Sequence, residues 1–156
     1  MPVFYCFLYI AAIGIASHFI GNALPRRWFH PDQFPYRSAP WEQDGAVYRK
    51  IGIQRWKDKL PDTSRVSPGM VRKEVSARPT PESLETLILE TCVAECVHGV
   101  LILCSLPVLA ICPGVGGWIV WGLCILGNFP FMLIQRYNRP RMEKTRQRLL
   151  KSRSGS

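Results

Sequence analysis

Residues 1–24 and 99–134 of this chain contain no Asp, Glu, Lys or Arg, while charge is dense elsewhere. A charge at the centre of a bilayer costs roughly 2.5–3.5 kcal/mol on insertion scales, so a membrane imposes this kind of segregation. Averages hide it. Mean hydropathy is +0.03 and 20% of residues are charged, values that suit a soluble protein. At 156 residues the chain is expected to form one integral membrane domain, 1–156.

Three spans account for the pattern. The first, Val3 to Leu24, has 22 residues, enough to cross a core of about 30 Å at ~1.5 Å per residue. It lacks a basic segment ahead of it and a small-residue cleavage site, so a retained helix is expected, with a cleaved signal peptide as the alternative. The second helix has a clear start in Thr80-Pro81-Glu82: an N-cap residue, a proline at the first helical position and an acid in the first turn. Its apolar pattern runs to Cys112, longer than a bilayer needs. The spanning part is placed at 91–112, with 81–90 projecting into the interface and Pro107 as a kink. An uncharged turn, residues 113–117, leads into a third span at 115–134, with Trp118 and Trp121 near the interface. Gly127 and Pro130 are expected to interrupt it. The fold class is thus an all-α membrane protein, with three transmembrane helices and a cytoplasmic amphipathic, interfacial segment between the first and second.

The basic residues set the orientation. Twelve Lys and Arg lie between residues 25 and 80 and eight between 135 and 156, with none elsewhere. Three spans put the 25–80 loop and the 135–156 tail on one side, which the positive-inside rule makes cytoplasmic. Two or four spans would split them. The reading is a multi-pass protein of the cell membrane, N-terminus outside and C-terminus cytoplasmic. The net charge of +9 admits nucleic acid or an anionic membrane as partner. No helix-turn-helix, zinc-finger or RNP pattern occurs, so membrane lipids are expected and nucleic acid is not. The six cysteines all lie in apolar stretches and read as small buried hydrophobes. Nothing in the sequence fixes the oligomeric state.

Polar residues within spans are functional candidates. His18, His98 and Asn128 lie six or seven residues inside the cytoplasmic ends of three different spans, roughly 9–10 Å deep at ~1.5 Å per residue. Glu95 is one turn shallower, and Glu90, Asn22, Gln135 and Arg136 sit at the mouth. Equal depth suggests one cavity open to the cytoplasm. Glu95 and His98 are three apart and share a helix face. A carboxylate beside an imidazole suits a general base acting on a hydroxyl. The same pair suits metal ligation, although a di-metal site would need a second Glu-x-x-His and none occurs. It also suits a polar cluster that only holds helices together.

The loop interleaves rings with cations: Arg26-Arg27-Trp28-Phe29, Phe34-Pro35-Tyr36-Arg37 and Trp56-Lys57-Asp58-Lys59. Such patterns fit a headgroup layer, and residues 41–60 are expected to include an interfacial helix. The run Gln135-Arg136-Tyr137-Asn138-Arg139-Pro140-Arg141 follows the third span. Three arginines there serve either as a stop-transfer signal or as forks for phosphate or carboxylate.

These stretches resemble the glycosyl-4,4′-diaponeurosporenoate acyltransferase family, whose members attach a fatty acyl chain to a glycosylated carotenoid. The likeness is strongest over Gln135 to Arg141 with Asn128 and Pro130. It is clear at Glu90-Thr91, Ala94-Glu95 and His98, and at Trp56, Lys57 and Lys59. It is weaker at Pro25, Phe29, Ser38, Glu42 and Gly45. His18 has no counterpart in the pattern, and Cys92 and Val93 stand where basic residues are expected. The resemblance implies a membrane acyltransferase in carotenoid or lipid biosynthesis, with an acyl thioester as donor, a glycolipid hydroxyl as acceptor and no further cofactor or metal. On this reading His98 is the base, Glu95 orients it, and Asn128 donates to the developing oxyanion. Arg136, Arg139, Lys57 and Lys59 hold the donor's phosphates, and Glu90, Trp56, Gln135, Asn138 and Arg141 complete the substrate-binding set. The rival readings are a non-enzymatic membrane subunit or lipid-binding protein, and a metal-dependent lipid-modifying enzyme.

Overall fold

A computed structural model describes residues 2–60 and 79–155. Residues 61–78 of the expected cytoplasmic loop lie outside them. The described residues are helical, with no strand among them. The long helices are α1 (Pro2–Ala23), α4 (Pro81–Cys104) and α6 (Val115–Ser154), and the short ones are α2 (Ala46–Lys50), α3 (Ile53–Trp56) and α5 (Val108–Ile111). Three segments are long and apolar enough to cross a membrane: Pro2–Ala23, Pro81–Ile111 and Val115–Ser154. The chain divides into two compact units, residues 1–24 with 94–132, and residues 25–93 with 133–156.

The first unit is built as lipid-facing helices are. Its outward residues are large and apolar, among them Phe4, Phe7, Phe19, Leu103, Trp118 and Leu126. A small core of Cys6, Val108, Cys112 and Val120 holds it together, with Tyr9, Ile10 and Ile111 against it. The expected kink at Pro107 is a full break. Proline supplies no N–H, so α4 stops at Cys104, a turn over residues 105–107 follows, and α5 begins after Pro107. The carbonyl of Cys104 accepts a bond from the Tyr9 hydroxyl at 2.7 Å. That satisfies a backbone group which lipid could not. Gly117 allows the next close approach, since a Cβ there would lie 2.2 Å from the Cys112 oxygen.

Gly127 and Pro130 do not interrupt the third span: α6 is continuous through both. It also continues through the tail to Ser154.

The second unit has its own core of Tyr48, Ile53, Ile134 and Tyr137, flanked by Trp56, Leu60 and Leu133. The start of α4 is capped as expected. Thr80 Oγ1 accepts from Ser83 N–H at 3.2 Å, and Ser83 Oγ accepts from Thr80 N–H at 3.0 Å. Arg146 and Arg153 of α6 reach Glu85 and Glu82 of α4 at 2.9 and 2.8 Å. The single interfacial helix expected within residues 41–60 is instead a string of short pieces. Gly45 and Gly52, at φ +86 and +70, take left-handed conformations that break any longer run.

Candidate functional site

Within the first unit, α4 and α6 bring His98 and Asn128 together, with His98 Nδ1 2.8 Å from Asn128 Oδ1. The local helix decides which atom faces which. Asn128 Nδ2 lies 2.8 Å from the Cys124 carbonyl one turn back. A carbonyl only accepts, so the amide nitrogen must face it and the amide oxygen must face the ring. That oxygen also only accepts, so Nδ1 carries a proton and donates it to Asn128. The Phe131 ring, one turn on from Asn128, stacks on the imidazole at 4.8 Å and 9°. The ring is therefore held at one edge and on one face.

Glu95, one turn before His98 on α4, is 6% exposed. His18, at the same nominal depth on α1, meets Asn22 of its own helix at 3.3 Å. Of the three residues placed at one depth, His98 and Asn128 therefore bond directly, and His18 bonds within α1.

Within the second unit the motif residues form a dense polar frame around Glu42, which is 1% exposed. Its carboxylate accepts from Arg136 Nε at 2.6 Å and Nη2 at 2.7 Å, from the Ala39 N–H at 2.5 Å, and from the Tyr48 hydroxyl. Burial alone would raise the carboxyl's pKa, but the bonds from Arg136, Tyr48 and Ala39 outweigh it and hold it at about 2. Burial and the adjacent carboxylate push the Tyr48 phenol up. Arg136 also donates to the Pro35 carbonyl at 2.9 Å. Arg139, 4% exposed, donates to Thr91 Oγ1 at 2.9 Å, to the Thr91 carbonyl at 3.1 Å and to the Tyr36 carbonyl at 2.6 Å. Both forks are thus committed to the protein's own backbone and side chains.

The other expected binding residues are placed as follows. Glu90 forms a two-pronged pair with Arg26 at 2.8 and 3.1 Å. Trp56 packs against the Tyr48–Tyr137 core. Lys57 pairs with Asp58 at 2.7 Å. Lys59 closes the short helical turn Lys57–Lys59. Gln135 is 4% exposed, and its Oε1 has no partner among the described residues. Asn138 is half-buried on α6. Arg141 donates to the Tyr137 hydroxyl at 2.6 Å and lies over its ring at 4.8 Å. Arg136 and Arg139 also stand in the wall of a cavity of about 740 Å³ inside this unit. Sequence reasoning missed the cavity, the Glu42 frame and Phe131. Their partners are distant in sequence, and only the weak family likeness at Glu42 signalled the frame. Among the described residues, no group of three His, Cys, Asp or Glu side chains is placed to hold a metal ion.

The sequence model of the glycosyl-4,4′-diaponeurosporenoate acyltransferase family matches residues 25–148. Proteins of that name from Staphylococcus aureus strains MRSA252 and USA300 are each 28% identical over 155 residues, covering 96% of this chain and 90% of theirs. No solved structure matches.

Proposed function

The chain belongs to the glycosyl-4,4′-diaponeurosporenoate acyltransferase family and is a transferase with three helices able to cross a membrane; from that premise we propose that it moves a fatty acyl group from a thioester to a hydroxyl of a glycolipid, with His98 as general base.

The observation that carries this reading is the His98–Asn128 bond. Nδ1–H is engaged by Asn128, so Nε2 is the ring nitrogen given the role of base. A hydroxyl gives its proton to Nε2 while its oxygen attacks the thioester carbonyl. The tetrahedral intermediate then collapses, the C–S bond breaks and the ester remains. The leaving thiolate takes the proton back from the imidazolium. Asn128 Oδ1 stabilises that imidazolium through Nδ1–H, and Glu95, one turn away on the same helix face, helps to orient the ring. The second amide hydrogen of Asn128 remains available for the oxyanion.

Arg136 and Arg139 act by fixing residues 35–42 and the Thr91 turn of α4. Lys57, Lys59 and Arg141 are the cations for donor phosphates. Glu90, through Arg26, Trp56, Gln135 and Asn138 shape the acceptor side. The orientation is N-terminus outside and C-terminus cytoplasmic, in the cell membrane.

The test is turnover of purified protein in lipid nanodiscs with an acyl thioester and a glycolipid. His98→Ala is expected to lose about 10²–10⁴-fold in kcat, the range of a positioned general base. Turnover within a few fold of wild type would remove His98 from that role.

A further inference from the structure

The cavity of the second unit has a chemistry that the base and the donor cations do not use. Its volume, about 740 Å³, falls in the range of about 300–1,000 Å³ common for small-molecule sites. Five cationic side chains and five carboxylates line it, so the wall is formally neutral apart from His30. The charges are answered in place: Arg136 by Glu42 at 2.6 Å, Arg146 by Glu85 at 2.9 Å, and Lys144 by Asp44 at 3.0 Å. Arg139 is engaged by Thr91 and the Tyr36 carbonyl. A phosphate or carboxylate ligand needs a surplus of positive charge, and the wall offers none.

What the wall does offer is a dense mixture of donors and acceptors beside apolar surface. The ion-paired groups keep spare protons and lone pairs. The Ser38 hydroxyl is in the wall and has no partner among the described residues. Phe29, Ile88 and Leu89 supply an apolar side. One wall residue is held at a conformational cost. Gln43 and Asp44 both take left-handed backbone conformations, φ +49 and +52, and Asp44 pairs with Lys144 at 3.0 Å in the wall. An uncharged polyhydroxylated ring fits this combination, since its hydroxyls both donate and accept and its C–H faces are apolar.

We propose that this cavity is the subsite for the uncharged glycosyl headgroup of the acceptor. The assignment rests on the glycolipid acceptor of the proposed function.

The test uses the full chain in nanodiscs and an octyl glucoside carrying a diazirine on its sugar. Labelled peptides are mapped by mass spectrometry, and glycolipid acylation is measured on the same preparation. Label is expected within residues 29–42 or 140–147, to be lost with excess methyl glucoside and kept with excess inorganic phosphate. Ser38→Phe, which puts a ring in place of the wall's unpartnered hydroxyl, is expected to lose that label while circular dichroism shows unchanged helix. Label only at other residues, or label there removed by phosphate and not by glucoside, overturns the subsite. Acylation without label at the cavity rejects the subsite and leaves the acyltransferase reading intact. Label there without acylation upholds the subsite and rejects the glycolipid-acylation reading.

Discussion

A carboxylate that is 1% exposed must have its charge answered nearby, and Glu42 has it answered by Arg136, Tyr48 and a backbone N–H. The folded pKa of about 2, against an ordinary 4.5, means that Glu42 stabilises the fold fully above about pH 4.5. That contribution is lost as pH falls toward 2 and is worth about 3 kcal/mol by linkage. Wild-type Tm is therefore expected to fall between pH 5 and pH 3 more steeply than that of Glu42→Gln, measured by thermal melts in detergent. Parallel curves would deny Glu42 the role. At His98 the account turns on Asn128. Removing its oxygen takes away the acceptor that holds Nδ1–H, so Asn128→Ala is expected to lower kcat while leaving KM for the thioester near wild type. Steady-state kinetics decide this, and an unchanged kcat would mean that the bond is only structural. Neither partnership could be read from the sequence. Glu42 and Arg136 lie 94 residues apart, and His98 and Asn128 lie 30 apart. Equal depth brought the latter pair together on paper, but it also included His18, whose bond is to Asn22 on its own helix.

Among the elements, the ends of α1 and the start of α4 were legible, and the breaks at proline and glycine were not. Thr80 and Pro81 announce α4 by local chemistry, and the cap forms as read. Pro107 and Pro130 look alike in sequence, yet α4 breaks at the first and α6 runs through the second. Around Pro107 the break is accommodated by a remote group, the Tyr9 hydroxyl on the freed Cys104 carbonyl. The string of short helices over residues 40–59 depends on two left-handed glycines. Gly45 has a second constraint, because a Cβ there would come within 3.2 Å of the Tyr137 carbonyl. Gly45→Ala is therefore expected to cost about 1–3 kcal/mol from backbone strain and more from the contact. Gly14, where a Cβ meets nothing within 4 Å, is the control for Tm. Equal melting of the two variants would contradict the reading.

For the molecule as a whole, the three spans were legible because lipid imposes its demand residue by residue, and composition records it directly. The orientation rests on the two basic segments, and a tag placed after Ser156 is expected to stay inaccessible to antibody in intact cells while one before Met1 is reached. The opposite pattern would invert the topology. Arg136 and Arg139 were legible as candidates but the frame they build was not: the arginines expected to grip a ligand are engaged by Glu42, Thr91 and backbone carbonyls. The central claim, acyl transfer through His98, is tested most directly by mass spectrometry of lipids from cells that supply a glycosylated acceptor and express either wild type or His98→Ala at equal membrane levels. The account predicts an acylated glycolipid with wild type and its loss with His98→Ala. The same acylated product in both would contradict it.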